Sequence, residues 1–106
     1  MLFDVMEEER RGWSVVRVIG DVDLATMPTL HAALERCDPA RVALDLAGAT
    51  MLDPLALGVV IGASLRSTRR GGEFVVCCPE GAARNLFTET GLDRVMRLVT
   101  DVDQLA

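Results

Sequence analysis

The spacing of apolar positions switches between two periods along the chain. Residues 2–8, Leu-Phe-Asp-Val-Met-Glu-Glu, and residues 13–19, Trp-Ser-Val-Val-Arg-Val-Ile, read as strands, the second rich in β-branched side chains. Arg11-Gly12 between them makes a turn, which predicts an antiparallel pair. The period then becomes helical, with Leu30, Ala33, Leu34 and Cys37 on one stripe. Thr26 is the expected N-cap, Pro28 fits the first turn, and Asp38-Pro39 ends the helix. Residues 41–47 form a mostly apolar run, as in the buried middle of a sheet. From Pro54 to Arg70 the pattern is helical again, with Leu57, Val60, Ile61, Ser64 and Leu65 predicted to face inward. Arg66, Arg69 and Arg70 suit the carboxyl end of that helix, and Gly71-Gly72 stops it. Residues 73–78 give a further strand. Pro79 and Glu80 open a third helix over 80–90, with Ala83, Leu86 and Phe87 inward and Gly91 as its stop. A last strand is expected over 95–99 and a turn of helix over 101–106.

The order β-β-α-β-α-β-α-β predicts an α/β fold with a largely parallel sheet and an antiparallel start. The sequence shows no linker, low-complexity stretch or internal repeat, so a single domain over residues 1–106 is expected.

Composition narrows the function classes. Half of the chain is hydrophobic, enough for a sizeable core. The net charge of −5, from 16 acidic and 11 basic residues, argues against nucleic acid as a partner. Every basic residue is arginine, and a chain without lysine has neither a Walker-type phosphate loop nor a Schiff base. No apolar run approaches the roughly 18–20 residues of a membrane span. The start, Met-Leu-Phe-Asp-Val-Met-Glu-Glu-Glu-Arg-Arg, lacks the features of a signal peptide, so a cytoplasmic protein without membrane insertion is expected. The three cysteines, Cys37, Cys77 and Cys78, fit no zinc pattern. Neighbours on one strand point to opposite faces, so Cys77 and Cys78 are expected as buried reduced thiols; a redox role is the alternative.

Conventional catalytic chemistry is poorly supported. His31 stands alone within the first predicted helix, where a surface or boundary role is expected. There is no tyrosine, no nucleophile elbow and no glycine-rich dinucleotide loop; Gly-Ala-Ser-Leu-Arg-Ser at 62–67 is mid-helix. No histidine pair or acidic cluster has metal spacing, so no enzyme activity, metal or cofactor is expected. Two acidic loops remain, Gly20-Asp21-Val22-Asp23 and Thr50-Met51-Leu52-Asp53-Pro54, each after a strand. In parallel sheets such loops carry binding functions. On spacing alone they equally fit plain structural roles: Asp21 and Asp23 in a turn and helix cap, Asp53 as an N-cap before a proline at the first helical position.

At these loops the sequence resembles a STAS domain, the module of sulphate transporters and anti-sigma factor antagonists. Gly-Asp-Val-Asp-Leu-Ala-Thr-Met-Pro-Thr-Leu at 20–30 resembles the family's entry into its first helix. Val-Ala-Leu-Asp-Leu-Ala-Gly-Ala-Thr-Met-Leu-Asp at 42–53, followed by Leu-Gly-Val-Val at 57–60, resembles its strand, loop and switch helix. Arg-Arg-Gly-Gly-Glu-Phe-Val-Val-Cys-Cys-Pro at 69–79, with the later Ala-Ala-Arg-Asn-Leu-Phe-Thr-Glu-Thr-Gly-Leu-Asp, resembles its fourth strand and third helix. The resemblance runs in order over nearly the whole chain. It implies a STAS-type α/β fold: a mixed, mostly parallel sheet of about 4–5 strands with 3–4 helices packed on it.

A stand-alone chain of this length is most similar to the bacterial anti-sigma factor antagonists. In that group the loop reads Asp-Ser-Ser/Thr-Gly-Leu-Gly. The first hydroxyl after the aspartate is phosphorylated by a partner anti-sigma factor of histidine-kinase-like ATPase fold, and the phosphate abolishes binding. Two added negative charges in a packed, partly acidic interface explain that loss. Here the corresponding residues are Asp53, Pro54, Leu55, Ala56, Leu57 and Gly58. The acceptor position is Pro54, and the next hydroxyl position is Leu55. The resemblance therefore implies a protein-binding regulator in sigma-factor control that is not switched at the usual position. Asp21, Asp23, Thr26, Asp53, Pro54, Leu55 and Leu57 form the expected partner surface, Thr50 is the substitute acceptor to consider, and a monomer or weak dimer is expected. The alternatives are a non-enzymatic STAS subunit of a transporter or stressosome-like scaffold, and a small-ligand or nucleotide sensor using the two loops and Arg84.

Overall fold

The computed structural model describes residues 3–105. The expected strand start at Leu2 and the end of the last turn at Ala106 lie outside the described residues. Strand β1 (Phe3–Arg10) and strand β2 (Trp13–Val22) form an antiparallel hairpin. Its two-residue turn places Arg11 at φ 54° and Gly12 at φ 86°, the left-handed pair that matches the twist of a tight hairpin. Helix α1 (Met27–Arg36), strand β3 (Arg41–Leu52), helix α2 (Leu57–Arg69), strand β4 (Glu73–Cys77), helix α3 (Ala82–Glu89) and strand β5 (Arg97–Val99) follow. Short 3-10 turns occupy Pro54–Ala56, Leu92–Arg94 and Val102–Gln104. The five strands lie in the order β1-β2-β3-β4-β5, and every pairing after the hairpin is parallel. This is the predicted α/β arrangement.

The helical face of the sheet carries the main core. Val16, Val18 and Val22 of β2, Leu44 and Leu46 of β3 and Val76 of β4 pack there with Leu30, Leu34, Val60 and Phe87. The opposite face buries a smaller cluster, Trp13, Val15, Ala43, Val75 and Cys77, under Leu105 near the C-terminus. The Arg41 guanidinium stacks 4.3 Å from the Trp13 ring centroid. Alternation along β4 continues past its end: Cys77 joins the smaller cluster and Cys78 the main core, neither in a disulfide. Burial pushes the Cys77 thiol up to about 12, and burial also raises Cys78.

Two predictions change. Both β2 and β3 run further than expected, so Asp21, Thr50, Met51 and Leu52 lie on paired strands and not in loops. The register explains why the pattern hid this. Arg17 pairs with Asp45 but Ile19 with Gly48, and Gly20 pairs with Ala49 but Asp21 with Met51, so β3 carries two extra residues. Each bulge interrupts the alternation on which a strand is recognised. Gly48 is required at the first bulge, because a Cβ there would lie 2.9 Å from the Val18 carbonyl oxygen.

The second change concerns α2. Its buried residues are Leu57, Val60, Ala63 and Ser67, while Ile61 and Leu65 are exposed at 37 % and 46 %. Hydropathy weights isoleucine and leucine above alanine and serine, and so rotates the expected face by roughly a quarter turn. The helix instead turns small residues inward where it packs on β4 and beside α1.

Candidate functional site

The carboxyl ends of β2 and β3 bring Asp21, Asp23, Thr26, Thr50, Asp53 and Pro54 together at one end of the sheet. Val22 is the bracket: its carbonyl accepts from the Asp53 N–H at 2.8 Å, which extends the pairing of Val22 with Leu52.

Thr26 occupies the position before α1 but does not cap it through its side chain. Its hydroxyl donates back to the Asp21 carbonyl at 2.8 Å and accepts from the Asp23 N–H at 2.9 Å. Asp23 takes the capping role: its Oδ1 accepts from the N–H groups of Ala25 and Thr26, each at 3.0 Å. The β-turn to α1 is thus closed by a threonine–aspartate exchange. Asp21 is held differently. Its Oδ1 accepts from the Thr50 hydroxyl at 2.5 Å. Thr50 is the extra residue of the second bulge, which turns its side chain toward β2.

Asp53 behaves as expected. Its backbone is extended and its Oδ1 accepts from the Leu55 N–H at 2.9 Å. Pro54 sits at the first helical position, where no N–H is needed, and Ala56 closes the 3-10 turn on the Asp53 carbonyl at 2.8 Å. Leu57 departs from the expected surface role. At 7 % exposure it is a core residue that supports the turn from beneath.

The apolar groups that do face outward at this end are Leu55 at 65 %, Leu24 at 67 % and Met51 at 41 %. Leu24 and Met51 escaped the sequence reading. Leu24 fits neither the strand nor the helix period, and an apolar residue off both periods was the available signal. Along α2, helical spacing continues this surface with Gly58, Ile61, Gly62 and Leu65 on the outward side. The result is an apolar face rimmed by three carboxylates, each anchored by protein donors.

Arg84 is engaged elsewhere. Its Nη1 donates to the carbonyls of Cys78 at 2.6 Å and Val99 at 3.3 Å, fastening the ends of β4 and β5. His31 is half exposed and pairs with Glu35 at 2.9 Å, one turn along α1. Among the described residues no three acidic, histidine or cysteine side chains converge as metal ligands, and no helix is long and apolar enough to cross a membrane.

Comparisons with known proteins identify the family and the fold. The family model described as the STAS domain matches residues 4–105. An anti-sigma factor antagonist from Mycobacterium paratuberculosis superposes with a TM-score of 0.85 at 27 % identity, over 96 % of this chain and 89 % of that one. The anti-sigma factor antagonist SpoIIAA in its unphosphorylated form gives 0.74 at 19 % identity, over 96 % and 91 % of the two chains. The phosphorylated form of SpoIIAA, a cell fate determinant of Bacillus, gives 0.70 at 18 % identity, over 96 % and 95 %. The two SpoIIAA likenesses speak to the fold.

Proposed function

The chain belongs to the STAS domain family, and from that premise we propose that it is an anti-sigma factor antagonist whose binding is not released by phosphorylation at the usual loop position. Its partner in this reading is an anti-sigma factor of histidine-kinase-like fold. The role is recognition, not catalysis.

The observation that carries the proposal is Pro54 between the Asp53 cap and exposed Leu55. A proline at the acceptor position has no hydroxyl to receive a phosphoryl group. It also keeps the helix entrance in shape, because its ring fixes φ near the helical value. The loop therefore retains the form of a binding edge and lacks the group that would switch it. Leu24, Met51 and Leu55 supply apolar area, which charged groups at a rim can orient toward one partner. Asp21, Asp23, Thr26 and Asp53 supply that rim, and Leu57 holds the turn in place from the core.

The test is capture of partners from lysate of the source organism on tagged protein, with and without ATP, read by mass spectrometry. The proposal expects a kinase-fold anti-sigma factor under both conditions, followed by direct binding of the purified pair. Capture of transporter or scaffold subunits without such a factor would refute it. So would an anti-sigma factor that ATP displaces.

A further inference from the structure

A second site lies at the opposite end of the sheet, where α1 and α2 finish and β3 begins. A cavity of about 70 Å³ opens there between the two helix ends, with Arg66, Ser67, Arg70, Cys37, Glu35 and Val42 among its walls. By the same measure one water needs roughly 10–15 Å³, so the space exceeds that of a single water several times.

Its walls present buried donors without acceptors. Ser67 is 1 % exposed, and its hydroxyl has no hydrogen-bond partner in the protein. The Nη2 of Arg66 is likewise buried and unpartnered. Native proteins rarely leave such groups unsatisfied. Several of the acceptors that the helix ends offer are already used here. The Ser67 carbonyl accepts from the N–H groups of Arg70 at 3.2 Å and Gly72 at 2.7 Å, and the Thr68 carbonyl from Gly71 at 3.0 Å. The Leu34 carbonyl accepts from the Cys37 thiol at 3.2 Å. Glu35, the one carboxylate in the wall, is paired with His31.

A buried guanidinium edge and a buried hydroxyl, with a second arginine at the wall, call for an acceptor that carries negative charge. The geometry points to a binding site for a small oxyanion of the phosphate or sulphate class, held by Arg66, Ser67 and Arg70. Such an ion lies between the carboxyl ends of α1 and α2, whose partial negative charge Arg66 and Arg70 have to outweigh, and away from Asp53 and Pro54. The site is independent of the partner surface.

Titration of isotope-labelled protein with inorganic phosphate, followed by NMR at neutral pH and fixed ionic strength with chloride as the balancing salt, tests it. Saturable shifts are expected at the Arg66 side-chain N–H and at backbone amides 35–38 and 66–72, with those of 21–23 and 53–57 unmoved. Arg66→Gln should weaken the affinity about tenfold or more, the loss of a charge-assisted hydrogen bond. Ser67→Ala should weaken it by a smaller factor. Sulphate should compete. Glycerol phosphate distinguishes the source: competition assigns a phosphomonoester head group, and none assigns the free ion. Shifts that grow linearly through the millimolar range, or are centred elsewhere, would overturn the site, as would affinity unchanged by Arg66→Gln. If circular dichroism shows that variant unfolded, Ser67→Ala and Arg70→Gln decide, and unchanged affinity in both overturns the site.

Discussion

Thr50 donates its hydroxyl to Asp21 at 2.5 Å across the second bulge of β3. This contact joins the ends of the two strands that carry the binding surface. A hydrogen bond to a charged group contributes about 1.5–3 kcal/mol when buried, and less at this exposed position. Thr50→Val should therefore lower unfolding free energy by about 0.5–1.5 kcal/mol in a urea titration. No loss at all would mean that the bulge is held by backbone pairing alone.

Pro54 is the position where phosphate transfer is tested. The native chain, incubated with its purified partner and ATP, should take up no phosphate, and Pro54→Ser should take it up at position 54. Label on the native chain at Thr50 would assign the switch to that residue instead. The serine variant should also be less stable by about 0.4–1 kcal/mol, because proline restricts the unfolded chain. Thermal melts of the two forms measure that difference.

The partner surface is best probed through its exposed leucines. Asp23 caps the entry to α1, so Asp23→Arg would lose about 1 kcal/mol of stability together with any contact. Leu55→Asp removes apolar surface from a side chain that is 65 % exposed. It should weaken partner binding by about tenfold or more while shifting the melting temperature little. Calorimetry of the purified pair reads the first, and thermal unfolding the second.

Gly72 passes close under the turn before β3. A Cβ there would lie 2.5 Å from the carbonyl oxygens of both Pro39 and Ala40. Backbone has to move to relieve such a clash. Gly72→Ala should destabilise the fold by about 2–3 kcal/mol, measured by chemical denaturation.

The buried thiols set an alkaline limit. Cys77 titrates near 12 in the folded protein against 9.0 ordinarily, chiefly through burial, with Asp45 and Asp101 adding to it. The unfolded chain releases this proton first, so above pH 9 it binds fewer protons than the native state, and stability falls as pH rises toward 12. Cys77→Ala should flatten that fall in denaturation curves recorded across the window. At neutral pH, Cys77 and Cys78 should resist thiol reagents that label the half-buried Cys37.

The α/β order was legible because β-branched runs and the Leu30–Leu34 stripe follow their periods faithfully. Gly91 was equally legible: it adopts φ 78° beyond α3 and its N–H reaches the Thr88 carbonyl at 3.1 Å. The end of β3 was not, since the first bulge shifts the face of the residues after Leu46 and the second restores it only at Met51. The inward side of α2 was hidden for another reason. Close packing there selects by volume, so Ala63 and Ser67 took places that hydropathy assigns to Ile61 and Leu65. At the site, Asp53 and Pro54 could be read from local capping rules, whereas the Asp21–Thr50 contact needs a pairing 29 residues apart.

The paired bulges also constrain how this gene can change in length. Together they restore the parity of the strand, so Leu46 and Leu52 both reach the main core. Loss of one codon there can be met by closing one bulge, which keeps Leu52 opposite Val22 and Asp53 on the Val22 carbonyl. Loss of two would leave both in place. Deletions of one or two residues should therefore be tolerated in this segment and longer ones not, a rule that a library of length variants would reveal directly.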